Sequence, residues 1–290
     1  MTDIPKRALG TPDALLPPEM ALACEAAGAA KAGRDALGLI ILGLLAGSFI
    51  AFGAIFMTVT LTGAQALPWG VARLLAGLVF SLGLILVIVS GAELFTGDSL
   101  MIISCASQRI TPLALMRAWA LVYLGNVIGA LGTAALAFLA SLHDFDGGAV
   151  GKTALMIASA KAALPTAKLF VLAVLCNILV CLAVWMSFSA RSTADKVAVI
   201  VPPIAAFVAA GFEHSIANLY FLPYGLLIKS WAEPGFWASI GQSTAEYAEL
   251  NAASALHNIV VATIGNLIGG SLMVGGIYWF LYLRRSPLHR

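Results

Sequence analysis

The sequence predicts an all-α membrane protein, six transmembrane helices in two inverted three-helix repeats, with helices 2 and 5 broken. Three observations predict it. Of 290 residues, 61% are hydrophobic and 10% charged, whereas a water-soluble domain carries about 25% charged residues, so this chain cannot cover a surface that faces water. Its uncharged stretches are long enough to cross a bilayer. Two parts of the chain also repeat each other's motifs. A net charge of +2 without a Lys/Arg run excludes a nucleic-acid binder, and four scattered cysteines exclude a disulfide scaffold.

A spanning helix takes about 20 mostly apolar residues, because the hydrocarbon core is about 30 Å thick. Stretches of that kind run over 36–72, 74–92, 118–142, 169–190, 197–212 continuing past Glu213 as 214–228, and 250–283. The first and last exceed one span and must include loop, expected at 62–70 and 251–258. Counted on alternating sides of six spans, Arg73, Lys152, Lys161, Lys168 and Lys229 fall on one side, and the other Lys and Arg of the 16, among them Lys6, Arg7, Arg109, Arg117 and Arg290, on the opposite one. Positive residues favour the cytoplasmic side, which puts both termini in the cytoplasm. Residues 1–33 carry Asp3, Asp13, Glu19 and Glu25 and no apolar core, which excludes a cleaved signal peptide. The expected organisation is a cytoplasmic N-terminal segment at 1–34, a six-helix domain at 35–284 and a cytoplasmic tail at 285–290. Residues 19–34 read either as a short helix beneath the bundle or on the membrane surface, or as an inert tail.

The repeat relates residues 36–142 to 169–283. Gly125-Asn126-Val127-Ile128-Gly129 in helix 3 matches Gly265-Asn266-Leu267-Ile268-Gly269 in helix 6, and Gly91-Ala92-Glu93 matches Gly211-Phe212-Glu213. Three spans per half is an odd number, so the halves face opposite ways. The glycines read as close helix packing. At the second match, helix 2 meets Glu93-Leu94-Phe95-Thr96-Gly97-Asp98-Ser99 and helix 5 meets Glu213-His214-Ser215-Ile216-Ala217-Asn218. Ionisable groups at membrane depth face a cavity or a partner, and backbone unwinds there only where protein or water satisfies it. Two breaks at corresponding positions point to one central site. Glu93 and Glu213 read first as structural carboxylates bonded to backbone N–H groups freed at the breaks. His214, beside a carboxylate at mid-span, reads as functional.

At these residues the chain resembles the formate/nitrite transporter family, pentameric anion channels with an aquaporin-like protomer, from about residue 15 to 283. The carrying segments are Thr60-Leu61-Thr62-Gly63, Phe80-Ser81-Leu82-Gly83-Leu84-Ile85-Leu86, Glu93-Leu94-Phe95-Thr96-Gly97, the stretch from Asn177 to Met186, and Gly211 to Asn218. The resemblance implies that Thr96 faces a central histidine, His214, with Glu213 and Asn218 in the same set. It implies an outer constriction at Phe80, Leu84 and Phe207, an inner one near Leu94 and Phe95, Lys161 attracting anions at the periplasmic entrance, and Asn177 near the histidine. The implied function is a channel for small monovalent anions, formate first and nitrite or hydrosulfide as alternatives. The implied protein is a homopentamer in a bacterial inner membrane, with neither cofactor nor metal. The stretch from Thr60 to Leu86 looks closest to the formate-channel branch, while Glu93 before Leu-Phe-Thr-Gly also occurs in the nitrite branch.

A bare anion crossing a ring of Phe and Leu loses hydration without gaining donors, so something must neutralise it. A histidine that shares a proton with the anion does so, which predicts pH-dependent passage. Other classes fit less well. Gly151-Lys152-Thr153 imitates a phosphate-binding loop, but Asp146 stands where its first glycine belongs. A hydrolase would have to use Ser215 or Ser99 with His214, without an oxyanion nest. A haem-binding electron carrier needs a second axial histidine within a span, and the cysteines lack metal-site spacing. Enzymatic activity is therefore not expected. Trp69, Trp119, Trp231 and Trp237 are expected in an aromatic belt. Gly43, Gly47, Gly125, Gly129, Gly265 and Gly269 are expected at helix contacts, within or between subunits.

Overall fold

The structure is a computed structural model that describes residues 14–285. Lys6, Arg7 and Arg290 of the charge count, and all but the first residue of the 285–290 tail, lie outside the described residues. α1 (Pro17–Ala32) starts on two prolines, whose fixed φ and missing N–H suit a first helical turn. Asp35 accepts the Gly38 N–H at 2.8 Å and so caps α2 (Ala36–Leu61). The second span is α3 (Trp69–Phe80) followed by α4 (Leu82–Ser90), the third α7 (Pro112–Leu139), the fourth α9 (Thr166–Ser187), the fifth α10 (Thr193–Ala210), and the sixth α13 (Ala252–Ile268) continued through a π-helical stretch at Gly269–Gly276 into α14 (Ile277–Tyr282). Among the described residues, six helices are thus long and apolar enough to cross a membrane.

Between them lie the broken pieces. After α4, Gly91 takes φ +76°, and the chain resumes as the short helices α5 (Phe95–Asp98) and α6 (Ile102–Ala106). After α10, Gly211 takes φ +77°, and the chain resumes as α11 (Ser215–Trp231). Glycine pays no Cβ penalty in this left-handed region, so each break starts on a residue suited to end a helix.

Close packing sits on the repeated glycines. A Cβ on Gly47 would stand 2.2 Å from the Asn126 carbonyl oxygen, and one on Gly129 would stand 2.0 Å from that of Leu44, so α2 and α7 touch backbone to backbone. Gly265 and Gly269 press on α9 in the same way, at Phe170, Ala173 and Val174. All six glycines named from the sequence therefore meet neighbours inside one chain.

Several boundaries shift. α3 begins at Trp69, ahead of the expected 74, which carries Arg73 into a helix. The expected loop at 251–258 is instead the start of α13, capped by Asn251 at the Ser254 N–H. The sequence did not foresee α8 (Ala149–Ala162) or α12 (Pro234–Ile240). α12 rests on the turn before α8 through His143, whose ring stacks on Phe138 at 4.9 Å and meets Phe236 edge-on at 5.4 Å. Burial pulls the His143 pKa below its ordinary value, with nearby Asp144 opposing. Of the four tryptophans, Trp69 and Trp231 are exposed. Trp119 instead donates its indole N–H to the Asp98 carbonyl at 2.9 Å and packs on Phe95, and Trp237 packs on Phe236 and Tyr247.

Candidate functional site

Unwinding a helix inside the membrane frees backbone groups that need partners. One asparagine serves each break. Asn126 of α7 donates its amide to the carbonyls of Gly43 (2.7 Å) and Glu93 (3.0 Å) and accepts the Phe95 N–H at 2.9 Å. Asn266 of α13 donates to the carbonyls of Ala173 (2.7 Å) and Glu213 (2.9 Å) and accepts the Ser215 N–H at 2.8 Å. The Glu93 N–H goes to Leu42, and the Glu213 N–H to Leu172. The two halves thus build the same frame from matching residues, and the asparagine within each Gly-Asn-x-Ile-Gly motif is its centre. The sequence reading took that motif for its glycines alone. The signal it passed over was an identical polar residue at the same place in both apolar repeats, expensive in a membrane unless bonded.

The frames bring the two breaks together. Thr96 Oγ1 lies 3.0 Å from His214 Nε2, both residues buried. His214 is also the N-cap of α11, its Nδ1 accepting the Ala217 N–H at 3.1 Å. A ring nitrogen that accepts a backbone N–H carries no proton, so the neutral ring holds its proton on Nε2, directed at the threonine. The Thr96 segment is fixed from behind. Its carbonyl accepts from the Ser99 hydroxyl at 2.6 Å and the Asn177 amide at 3.1 Å, and Asn177 also donates to Ser99 and to the Asn266 carbonyl. Asn177 therefore reaches the histidine only through Thr96. A Cβ on Gly270 would stand 2.4 Å from the Asn177 amide nitrogen, so the glycine leaves room for this cluster.

Above His214 lies a cavity of about 530 Å³, lined among others by Phe80, Phe207, Arg73, Lys161, Lys168 and Glu213. Phe207 stacks on the His214 ring at 5.9 Å and meets Phe80 edge-on at 5.7 Å, an apolar pair directly over the imidazole. Leu84 is buried in the same core. Lys161, 14% exposed, bonds Glu213 Oε1 at 2.9 Å, and the Asn218 amide reaches Oε2 at 2.7 Å and Asn258 at 2.7 Å. Asn258 closes the ring by donating to the Lys161 carbonyl. Lys161 is thus at the cavity, but tied to a carboxylate.

On the other side of the histidine, Leu94 is buried, and Phe95 packs edge-on against Tyr123 at 5.0 Å and Trp119 at 6.4 Å. Glu93 pairs with Lys31 (2.6 Å) and with Arg34, and Lys31 also bonds Asp98 at 2.6 Å. Burial alone would lower the Lys31 pKa, but Asp98 and Glu93 beside it hold it above its ordinary value. The segment 19–34, to which the sequence assigned no chemistry, therefore supplies the partners of a broken-helix carboxylate. Its residues lie 59 to 67 positions away along the chain, too far for spacing to show.

The chain is similar to known proteins over most of its length. The family described as formate/nitrite transporter matches residues 18–280. The formate channel FocA of Escherichia coli K12 is 42% identical over 278 residues, covering 96% of this chain and 98% of that protein. FocA of Haemophilus influenzae is 39% identical, covering 80% and 82%. A solved structure described as a pentameric formate channel with formate bound superposes with a TM-score of 0.82 at 43% identity, covering 86% of this chain and 98% of its own.

Proposed function

The chain belongs to the formate/nitrite transporter family, and from that premise we propose that it is a multi-pass channel of the bacterial inner membrane carrying small monovalent anions, formate foremost. The observation that carries the reading is the Thr96–His214 contact at the meeting of two broken helices, behind the Phe80–Phe207 pair. The outer cavity ends there, buried apolar side chains lie beyond, and the His214 ring stands between.

Formate enters the outer cavity under the pull of its cations and passes Phe80 and Phe207. At His214 it takes the place of the Thr96 hydroxyl and accepts the Nε2 proton as a hydrogen bond. Moving a proton from a histidine with pKa about 6.5 to a carboxylic acid near 3.9 costs about 3.5 kcal/mol in water. In a dry site the charged pair loses its hydration while the neutral pair does not, which reverses the balance. An imidazolium, formed when a proton from the periplasm takes Nδ1 in place of the Ala217 N–H, hands its Nε2 proton to formate and returns to neutral imidazole, and formic acid crosses the inner apolar residues. Thr96 positions the ring, and Asn177 positions Thr96. Uptake then rises as the external pH falls.

By likeness to the solved pentameric channel, the assembly is a homopentamer whose protomers each carry their own path. Both termini, with the segment 1–34 and the tail 285–290, lie on the cytoplasmic side of the 35–284 domain, as the bias of Lys and Arg supports. Stopped-flow flux into proteoliposomes comparing formate, nitrite, hydrosulfide, lactate and glycerol tests the reading. Formate is expected to lead and glycerol to be excluded. Glycerol flux matching formate, or formate flux unchanged between about pH 8 and pH 5, a range that spans the ordinary histidine pKa, overturns it.

A further inference from the structure

Lys161 is bonded to Glu213, so an anion arriving in the cavity meets a pair close to neutral. The cavity wall also presents a negative surface. α10 ends at Ala210, its last turn lines the cavity at Phe207, Val208 and Ala210, and the chain continues from it to His214. The turn at Gly211 returns two backbone bonds, from the Gly211 N–H to the Val208 carbonyl and from the Phe212 N–H to the Phe207 carbonyl. The final carbonyls of a helix still carry about half a negative charge between them, and among the described residues that of Ala209 has no backbone donor. Left alone, they would repel the anion where it must pass.

Arg73 covers them. From the first turns of α3, its Nε donates to the Ala209 carbonyl at 3.0 Å and its Nη2 to the Val208 carbonyl, and the residue lines the same cavity. Gly211 leaves room, since a Cβ there would stand 3.2 Å from Nη2. A guanidinium has five N–H donors and keeps its charge at every physiological pH. With two donors engaged, others remain for a ligand. Lys168 also lines the cavity but is exposed, so salt screens it more than the half-buried arginine.

Resting on the anion-channel reading, we propose that Arg73 is a specificity-determining residue of the outer vestibule: it turns the negative end of α10 into a positive surface and supplies the charge that Lys161, tied to Glu213, does not. The test is formate influx into proteoliposomes, measured against formate concentration and ionic strength, for the wild type, Arg73→Gln and Arg73→Lys. Gln keeps a donor without charge, and Lys keeps charge without the fork. Arg73→Gln is expected to raise the half-saturating formate concentration about threefold to fivefold, the effect of one unit charge at a partly solvated site. It is also expected to flatten the salt dependence while leaving saturating flux near wild type. Arg73→Lys is expected to keep the wild-type half-saturation.

Unchanged half-saturation and salt dependence in Arg73→Gln overturns the inference while leaving the channel reading intact. Equal loss in the Gln and Lys variants makes Arg73 a mechanical clamp on α10 and also overturns it. If Arg73→Gln does not assemble, Arg73→Lys decides alone, because loss of affinity with the charge retained refutes the proposal. A wild type that carries no formate removes the channel reading itself.

Discussion

Replacing His214 separates its two tasks, because the side chain both caps α11 through Nδ1 and faces the pathway through Nε2. Asparagine is among the best capping residues and its oxygen can accept the Ala217 N–H, so His214→Asn keeps the start of α11. It loses the Thr96 bond, worth about 1 kcal/mol, and the stacking on Phe207, worth about another. His214→Phe keeps the stacking and loses both the cap and the Thr96 bond, about 1 kcal/mol each. Both variants are expected to fold and assemble.

Transport is another matter. Without an ionisable ring, formate has to enter the apolar segment as a bare anion, at a desolvation cost of several kcal/mol. At 1.4 kcal/mol per factor of ten, a barrier about 4 kcal/mol higher lowers flux by about a thousandfold. Thr96→Ala removes an orienting hydroxyl and costs about 1 kcal/mol, hence roughly fivefold. Stopped-flow formate flux on the three variants, with oligomer mass measured alongside, checks the order. Formate flux within about tenfold of wild type in either assembled histidine variant would remove the ring from the mechanism and refute the barrier argument.

Further outcomes follow from the frame and its ion pairs. Asn126→Ala orphans the Glu93 carbonyl and Phe95 N–H, and Asn266→Ala the Glu213 carbonyl and Ser215 N–H, at about 1 to 3 kcal/mol per group, so both are expected to lower the thermal midpoint in detergent by similar amounts; a large effect of one without the other would break the symmetry of the frames. Gly129→Ala places a methyl 2.0 Å from the Leu44 carbonyl oxygen and is expected to destabilise the fold more than Gly132→Ala, where a Cβ meets nothing within 4 Å. Lys161→Ala strands the Glu213 carboxylate and is expected to lower stability by about 3 to 5 kcal/mol, with Lys161→Ala/Glu213→Gln recovering most of it; thermal melts of the pair measure the recovery. Because the His143 pKa is lowered in the fold, the unfolded chain binds the extra proton first as pH falls below the ordinary histidine value, so its contribution to stability is present at neutral pH and is lost on acidification; His143→Gln is expected to flatten the wild-type fall in thermal midpoint between about pH 7.5 and 5.5 around that value.

The spans and the breaks were legible because each leaves a mark in short stretches of sequence: apolar length, an ionisable residue at mid-span, and motifs that repeat; the pairing of Thr96 with His214 came only with the family resemblance. What escaped was chemistry joined only by the fold. Asn126 and Asn266 sat inside a motif whose glycine spacing already had an explanation. Lys31 and Arg34 meet Glu93 only after α1 has turned under the bundle. Arg73 marked a span end by its charge, although a guanidinium can enter a helix at the membrane edge when helix-end carbonyls wait for it. α8 and α12 are too short or too mixed in composition to register as spans, yet α8 carries Lys161 to the cavity.

Matching frames make the difference between the halves informative. Asn126 and Asn266 bond equivalent carbonyls and N–H groups, and Glu93 and Glu213 each meet a lysine, Lys31 on one side and Lys161 on the other. Within this duplication the residue just before the resumed helix is Leu94 in one half and His214 in the other, the N-caps of α5 and α11. Leu94 offers α5 no side-chain cap, while His214 caps α11 and has a second nitrogen left to point across at Thr96. A histidine in both positions would set two ionisable rings against each other in a dry centre, where the second charge is penalised by the first. A leucine in both would leave the anion without a proton partner. On the proposed mechanism, one titratable ring opposite an apolar cap gives an anion from either side the same proton partner, and that asymmetry would let a two-fold scaffold hold one proton between its two broken helices.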